Sequence, residues 1–409
     1  MTDISPVNAI VRDVSPELLR RWRDATPGCM NKAHLNNAGA ALMPRAVSDA
    51  IHSHLSLESE IGGYEAADAH AQDIQQVYED VAKVVNARAQ NVAVTASATA
   101  AFVQAMTSFD FAPGDVIVSS RSDYTSYQIQ YIALAKRAGV RVIHAEELPE
   151  GGIDPQSVRE ILRRTPCKLV SVSWVPTHSG LVQDVAGVGV ACEEAGVPYH
   201  VDACQAVGQL PVDIAELRCD YLSATARKFL RGPRGVGFLV ASGRALARGD
   251  YPMFVDMRGA EWTAPSEFRI ASTAKRYEDW EFAYALVLGL GAAARYALAQ
   301  GIEPTAARAW SLAAYMRERL SEVPGVRILD RGRVRCAIVT FDSSALSADK
   351  IMETLAARGV NIVLTRKWIG LLDFGPRGIE LGIRASPHYY NTVEEIDLLV
   401  DTVADVARA

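Results

Sequence analysis

Seven short β-rich runs, with helix-like stretches between the earlier ones, constrain this chain more than any other feature. VAVT (92–95), VIVSS (116–120), RVIHA (141–145), LVSVSW (169–174), YHVDA (199–203), YLSAT (221–225) and VGFLVA (236–241) carry few charged residues. Strands buried on both faces read in this way, whereas half-exposed strands alternate apolar with polar residues. Stretches such as YQIQYIALAKRA and SVREILRRT fall between runs, as the crossovers of a parallel sheet require. The expectation is an α/β fold with a mainly parallel seven-stranded sheet covered on both faces, in a large domain spanning residues 31–275. Residues 276–409 are expected to form a smaller α+β C-terminal domain, with strands near AIVTF (337–341) and NIVL (361–364). Residues 1–30 read as a polar arm, with a short helix at PELLRRW, packing on that smaller domain.

The segment SATARKFLRGPRGVG (223–237) sets a single lysine, Lys228, between a hydroxyl-rich turn and a Gly/Pro/Arg loop. A lone lysine is ordinarily a solvated surface residue, so a chemical role needs partners. The chain offers them at strand ends. YHVDA carries Asp202 at the close of its apolar run, with Gln205 three residues further on. Open α/β sheets place their ligands at the C-terminal ends of strands. In NVAVTASATAAFVQAM (91–106), a strand turns through Ser97, Ala98 and Thr99 into a helix start. Free backbone N–H groups and the positive end of the dipole hold a phosphate at such a place. Taken alone, Thr99 is explained by an ordinary helix cap and Asp202 by an ordinary strand-end acid. The ordered set of lysine, acid and phosphate cradle points to pyridoxal phosphate (PLP). That cofactor is held by a lysine as a Schiff base and needs a carboxylate facing its pyridine nitrogen.

The segments HLNNAGAALMP (34–44), TASATAAF, SWVPTHSGLVQDV (173–185), VDACQA, TARKFLRGPRGVG and IRASPHYYNTVEEID (383–397) resemble, in this order, the class V aminotransferases of PLP fold type I. The resemblance covers roughly residues 31 to 405, and the combination is far more specific than any one motif. It implies that Lys228 is the Schiff-base lysine and Asp202 the pyridine-nitrogen partner. Gln205 would contact the cofactor's phenolic oxygen, and Thr99, Thr225 and Arg227 would surround its phosphate. Tyr124 stands where the family has an aromatic residue or histidine stacked on the ring. Thr177 stands where many relatives have an asparagine on the ring oxygen. Arg384 matches the arginine that grips the substrate carboxylate as a planar fork. Asn37, with Asn36, opens a segment near that carboxylate, and both are equally plausible as turn residues. His178 lies in a loop beside the cofactor, as a proton carrier, a hydrogen-bond partner or a wall. Tyr64, in EIGGYEAA (60–67), falls in a region that lies near the dimer-shared site of hercynylcysteine sulfoxide-type lyases. His388 reads as a residue that hydrogen-bonds a loop.

The resemblance implies an enzyme that acts at Cα or Cβ of an amino-acid substrate through an external aldimine and a quinonoid state. β-Elimination of the carbon–sulfur lyase type is the favoured outcome, because EIGGYEAA and RASPHYYNT look most like that branch. Transamination and epimerisation are the alternatives. Cysteine desulfurases use a mobile-loop cysteine as a nucleophile, and VLTRKWIGLLDFGPRG (363–378) contains none. A reactive thiolate is needed for that attack, so the loop argues against a persulfide-forming desulfurase. Some relatives also carry a Gly-Thr pair whose threonine reaches the partner subunit's cofactor. Here RYEDWEFA (276–283) puts Trp280 and Glu281 at those places. A homodimer with the site near the subunit interface is implied, without that particular tie.

Bulk properties agree with this reading. Hydrophobic residues make up 49% of the 409 residues and charged ones 22%, which suits a large folded core. A net charge of −6 is too mild to argue for nucleic acid or an anionic membrane. A PLP-binding sensor fused to a DNA-binding domain needs a basic helix-turn-helix, and the arm before residue 31 is too short for one. The six cysteines lack metal-ligand spacing or a paired framework, so they read as reduced thiols and no metal is expected. MTDISPVNAIVRDV lacks the basic start and apolar run of a secretory signal. FAYALVLGLGAAA (282–294) is too short to span a bilayer and reads as a buried helix. A cytoplasmic enzyme is the expectation.

Overall fold

The computed structural model describes residues 14–344 and 347–408. The first thirteen residues of the expected arm lie outside the described residues. All seven runs form one sheet: β1 (Val92–Thr95), β2 (Val116–Ser119), β3 (Arg141–His144), β4 (Leu169–Ser173), β5 (Tyr199–Asp202), β6 (Tyr221–Thr225) and β7 (Gly237–Ala241). Its order is β1-β7-β6-β5-β4-β2-β3. The pairs from β3 through β6 are parallel, and β7 runs antiparallel to both β6 and β1.

The apolar runs are explained by burial on both faces. In β1, Val92 and Val94 enter one core cluster, whereas Ala93 enters another. In β6 and β7, Leu222, Ala224, Phe238 and Val240 join the first cluster, while Tyr221, Leu239 and Ala241 join the second. Successive side chains of a strand point to opposite faces, so neither face is left to water. Residues 31–275 contribute helices α1 (Arg45–Ile61), α2 (Ala71–Val84), α3 (Ala98–Met106), α4 (Thr125–Ala138) and α5 (Val185–Ala195) to the covering.

Helix α6 (Tyr284–Gln300), assigned from sequence to the C-terminal domain, packs along α1 and α2. Its run Val287–Ala294 is buried throughout, so one apolar stripe cannot describe it. A second sheet joins β8 (Val326–Ile328), β9 (Val339–Ser343), β10 (Val363–Arg366) and β11 (Leu381–Ala385) in the antiparallel order β8-β9-β11-β10. The described part of the arm holds the helix Pro16–Asp24. Its Trp22 ring meets Tyr389 edge-on, and Arg23 pairs with Glu395 at 2.8 Å. Among the described residues no single helix is long and apolar enough to cross a membrane.

Candidate active site

The C-terminal ends of β1, β2, β4, β5 and β6 share one edge of the sheet, and the chain reverses its direction of travel between β2 and β4. Ligand crevices of open α/β sheets form at such a place. Ser97 and Thr99 follow β1, Tyr124 follows β2, Thr177 and His178 follow β4, and Asp202 and Thr225 end β5 and β6. Lys228 follows β6 by three residues and is buried, with its amine 5.9 Å from the Tyr124 ring centre. Burial pushes that amine below the ordinary lysine range, Cys204 and Asp202 pull it back, and Arg227 and Arg384 push it down further.

Asp202 is held on both oxygens. Ser173 Oγ donates to Oδ2 at 3.0 Å and the Cys204 amide donates to Oδ1 at 2.9 Å. Thr177 is the hinge of the opposite side. Arg384 Nη1 donates to the Thr177 carbonyl at 2.6 Å and to its hydroxyl at 3.0 Å, and Gln205 Nε2 reaches the same hydroxyl at 3.4 Å. Arg384 is enclosed, and burial with Arg227 nearby holds its guanidinium down to about 10. Gln205 Oε1 and Arg384 Nε are buried without a hydrogen-bond partner among the described residues. A buried polar atom left so costs about 1–3 kcal/mol. Both flank Thr177, as in a site built to receive a polar ligand.

The phosphate end is shaped by a missing side chain. A Cβ on Gly237 would stand 2.6 Å from the Ala224 carbonyl and 2.8 Å from the Ala98 amide. Only glycine lets the start of α3 sit so close to β6 and β7, beside Thr225, whose register partner is Gly237. Ser97 caps α3 by accepting from the Ala100 amide at 3.1 Å. Arg227 Nη1 donates to the Gly39 carbonyl. Asp202, Arg227 and Arg384 all lie close enough to Lys228 to act on its charge, and this gathering of basic side chains favours an anionic ligand. The lysine, its acid, the α3 cradle and the orphaned amide oxygen together fit PLP.

Two expected residues, Asn37 and His178, are engaged elsewhere. Asn37 is fully buried, with its amide nitrogen on the His34 and Ser386 carbonyls and its oxygen accepting from Tyr390. Its neighbour Asn36 is the one that accepts from Arg384 Nη2, at 3.3 Å. His178 is buried against Asp373, Nε2 to Oδ2 at 3.1 Å, with Phe374 edge-on to its ring. Burial raises the Asp373 carboxyl, but His178 and Arg377 outweigh it and hold that group down to about 2. Tyr64 stands 71% exposed on the helix Gly63–Ala69. His388 accepts from the Tyr389 amide at Nδ1, so its Nε2–H donates to the Phe229 carbonyl at 3.0 Å.

Ser173 and Asp123, which none of the sequence motifs includes as site residues, stand directly behind Asp202. Their signal was a polar residue at every second place of a buried strand, Ser171 and Ser173 in LVSVS, and an acid beside Tyr124.

Fold and site thus define a PLP-dependent enzyme of fold type I. The family model "Aminotransferase class-V" matches residues 33–399, and the chain belongs to that family. It is 24% identical over 355 residues to a protein of Methanothermobacter thermautotrophicus named "Probable cysteine desulfurase", covering 85% of this chain and 86% of that one. Among solved structures, a cysteine desulfurase from Thermococcus onnurineus matches with a TM-score of 0.86 at 20% identity, covering 97% of this chain and 99% of that one. A cystine C-S lyase, C-DES, solved with its product cysteine persulfide, matches with a TM-score of 0.82 at 24% identity, covering 93% and 99%. These names correct the expectation that set desulfurases aside: the chain's relatives carry that name. A cysteine missing from residues 363–378 limits where on the chain a sulfur acceptor sits. It does not limit which bond of the substrate breaks.

Proposed function

We propose that this enzyme cleaves the carbon–sulfur bond of cysteine or a cysteine-derived amino acid, with β-elimination as its course. The observation that carries the reading is the meeting of a buried Lys228 with Asp202 and Arg384 at one sheet edge. The desulfurase names of the relatives supply the sulfur. Bound at Lys228, PLP would supply an electron sink for charge developing at the substrate's Cα. Arg384, fixed by Thr177 and Asn36, would hold the substrate carboxylate and fix the Cα–H direction. Lys228 Nζ would be the base that takes the Cα proton. Asp202 would keep a proton on the ring nitrogen, with Gln205 meeting the phenolic oxygen and Ser97, Thr99, Thr225 and Arg227 holding the phosphate.

A homodimer belongs to the same reading. Phe254 and Trp262 are 80% and 79% exposed, and Tyr251, Met253, Met257, Phe268 and Trp280 are exposed around them. Apolar patches of this kind mark association surfaces. Six free thiols suit a reducing, cytoplasmic setting. The two-domain division is part of the proposal, with α6 counted with the large sheet.

The test is product analysis of the holoenzyme with cysteine, cystine and cysteine conjugates, with and without a keto acid. Pyruvate and a released thiol without a keto acid support elimination. Alanine, with the sulfur left on the protein, keeps the carbon–sulfur cleavage and overturns elimination as its course. A strict need for the keto acid means transamination, and exchange at Cα with inversion means epimerisation. Either of those two overturns the proposal.

A further inference from the structure

Behind Asp202 lies a second carboxylate that the reaction outlined above does not use. Asp123 sits at the entry to α4, one residue before Tyr124, and is buried. Its Oδ1 accepts from the Ser173 amide at 2.8 Å, and its Oδ2 from Ser119 Oγ at 2.8 Å, with Tyr131 Oη at 3.3 Å. The Ser173 hydroxyl in turn donates to Asp202, and the Tyr124 amide donates to that hydroxyl at 3.0 Å. One serine therefore joins two buried acids, its amide to one and its hydroxyl to the other.

We propose that Asp123 is a positioning residue for the cofactor's ring nitrogen, acting through Ser173 on the orientation and charge environment of Asp202. The inference rests on the assignment of Asp202 as the ring-nitrogen partner.

A buried carboxylate without a cation is costly, and an apolar residue of similar size would relieve the cost. No lysine or arginine pairs with Asp123 among the described residues. The titratable groups that face it are Tyr131 on its own helix and Tyr199 and Asp202 on β5. His200 on β5 is reached through Ser171, whose hydroxyl lies 2.8 Å from Tyr131 Oη and 2.9 Å from His200 Nδ1. His200 Nε2 then meets Ser223 Oγ at 3.0 Å. The chain of hydroxyls ends in neutral groups, since burial pushes the His200 ring down to about 3. Among the described residues the carboxylate that acts on Asp123 is Asp202.

Burial, with Asp202 adding to it against three donors, pushes the Asp123 carboxyl up to about 7. Its negative charge would raise the proton affinity of the ring nitrogen, and its protonation would lower that affinity. The Ser173 bond adds geometry: it aims the hydroxyl that occupies Asp202 Oδ2, leaving that carboxylate one fixed orientation.

The experiment uses holoenzyme loaded with PLP labelled with nitrogen-15 in the ring, and follows the ring-nitrogen resonance with pH. Asp123→Asn keeps an oxygen for the Ser173 amide and removes the charge. The ring nitrogen is expected to lose its proton about one pH unit lower than in the parent, the size of one nearby charge. Ser173→Ala, which removes the hydroxyl and keeps the amide, is expected to shift it in the same direction by less. Asp202→Asn is the control. If it leaves the resonance unchanged, the Asp202 assignment itself falls, and this inference with it. If it abolishes the protonated resonance while Asp123→Asn titrates like the parent, this inference alone is overturned. A variant that merely loosened the fold would lose PLP, and the proton shift is read only from the bound cofactor.

Discussion

Lys228 has a single chemical asset, a primary amine enclosed among Asp202, Arg227, Arg384 and Tyr124. Lys228→Ala removes it without touching the hydrogen bonds that build the cradle. The visible band of lysine-bound cofactor is expected to disappear and turnover to fall by about 10²–10⁴-fold. An absorption spectrum that keeps the band would sink the assignment. Two buried histidines set a different limit. Burial pushes both His200 and His388 down to about 3, from an ordinary value near 6.5. Between those values the unfolded chain takes up protons that the native chain refuses, so stability is kept above about 6.5 and lost as pH falls through that window. Melting temperatures measured down the acid range are expected to drop accordingly, and His388→Gln to flatten the drop. Equal slopes for parent and variant would contradict the neutral, buried ring at His388.

The junction of α3 with β6 and β7 depends on Gly237, whose added methyl would strike a carbonyl and the amide at the start of α3. Backbone atoms cannot swing away as a side-chain tip does, so Gly237→Ala must lift the helix start. Weaker PLP binding, about tenfold in Kd, is expected from a displaced phosphate cradle. Equilibrium dialysis of cofactor against the variant measures it, and unchanged affinity would place the phosphate elsewhere. This edge of the sheet was legible in the sequence because doubly buried strands write themselves as apolar runs: YLSAT reads as a strand and forms one at Tyr221–Thr225. The hairpin Ala260–Ala264 with Glu267–Ile270 falls among none of the runs legible in the sequence. None of its residues is buried, so no alternation of inward and outward residues marks it. The Asp202–Ser173–Asp123 arrangement was hidden for another reason. It joins the ends of three strands, and spacing along the chain carries no trace of which ends meet. Asn36 and Asn37 show the same limit at closer range, since only the packing decides which of two adjacent amides faces Arg384.

That unread hairpin matters most for the molecule as a whole. Phe268 pairs in register with Trp262, and the Tyr251 ring meets Phe268 edge-on at 6.0 Å, so the exposed aromatics form one surface. Met253, Phe254 and Met257 occupy the stretch leading into it, and Arg258 stacks its guanidinium over Phe282 at 4.2 Å. The same stretch reaches Trp280, where relatives that share a phosphate contact across subunits have the glycine before their threonine. A second copy is the occupant this reading assigns to the surface, and the net charge of −6 is too small to oppose it strongly at physiological salt. Sedimentation velocity is expected to find two chains per particle for the parent. Replacing Phe254 and Trp262 together by glutamate should halve that mass, because two like charges would be buried without partners at the centre of the contact. Both side chains lie at the surface in the single chain, so the melting temperature of the separated subunit should fall only by what association contributed. A parent that sediments as one chain at micromolar concentration would remove the dimer from the proposal. It would leave the PLP site intact, since Lys228, Asp202, Gln205 and Arg384 all belong to one subunit.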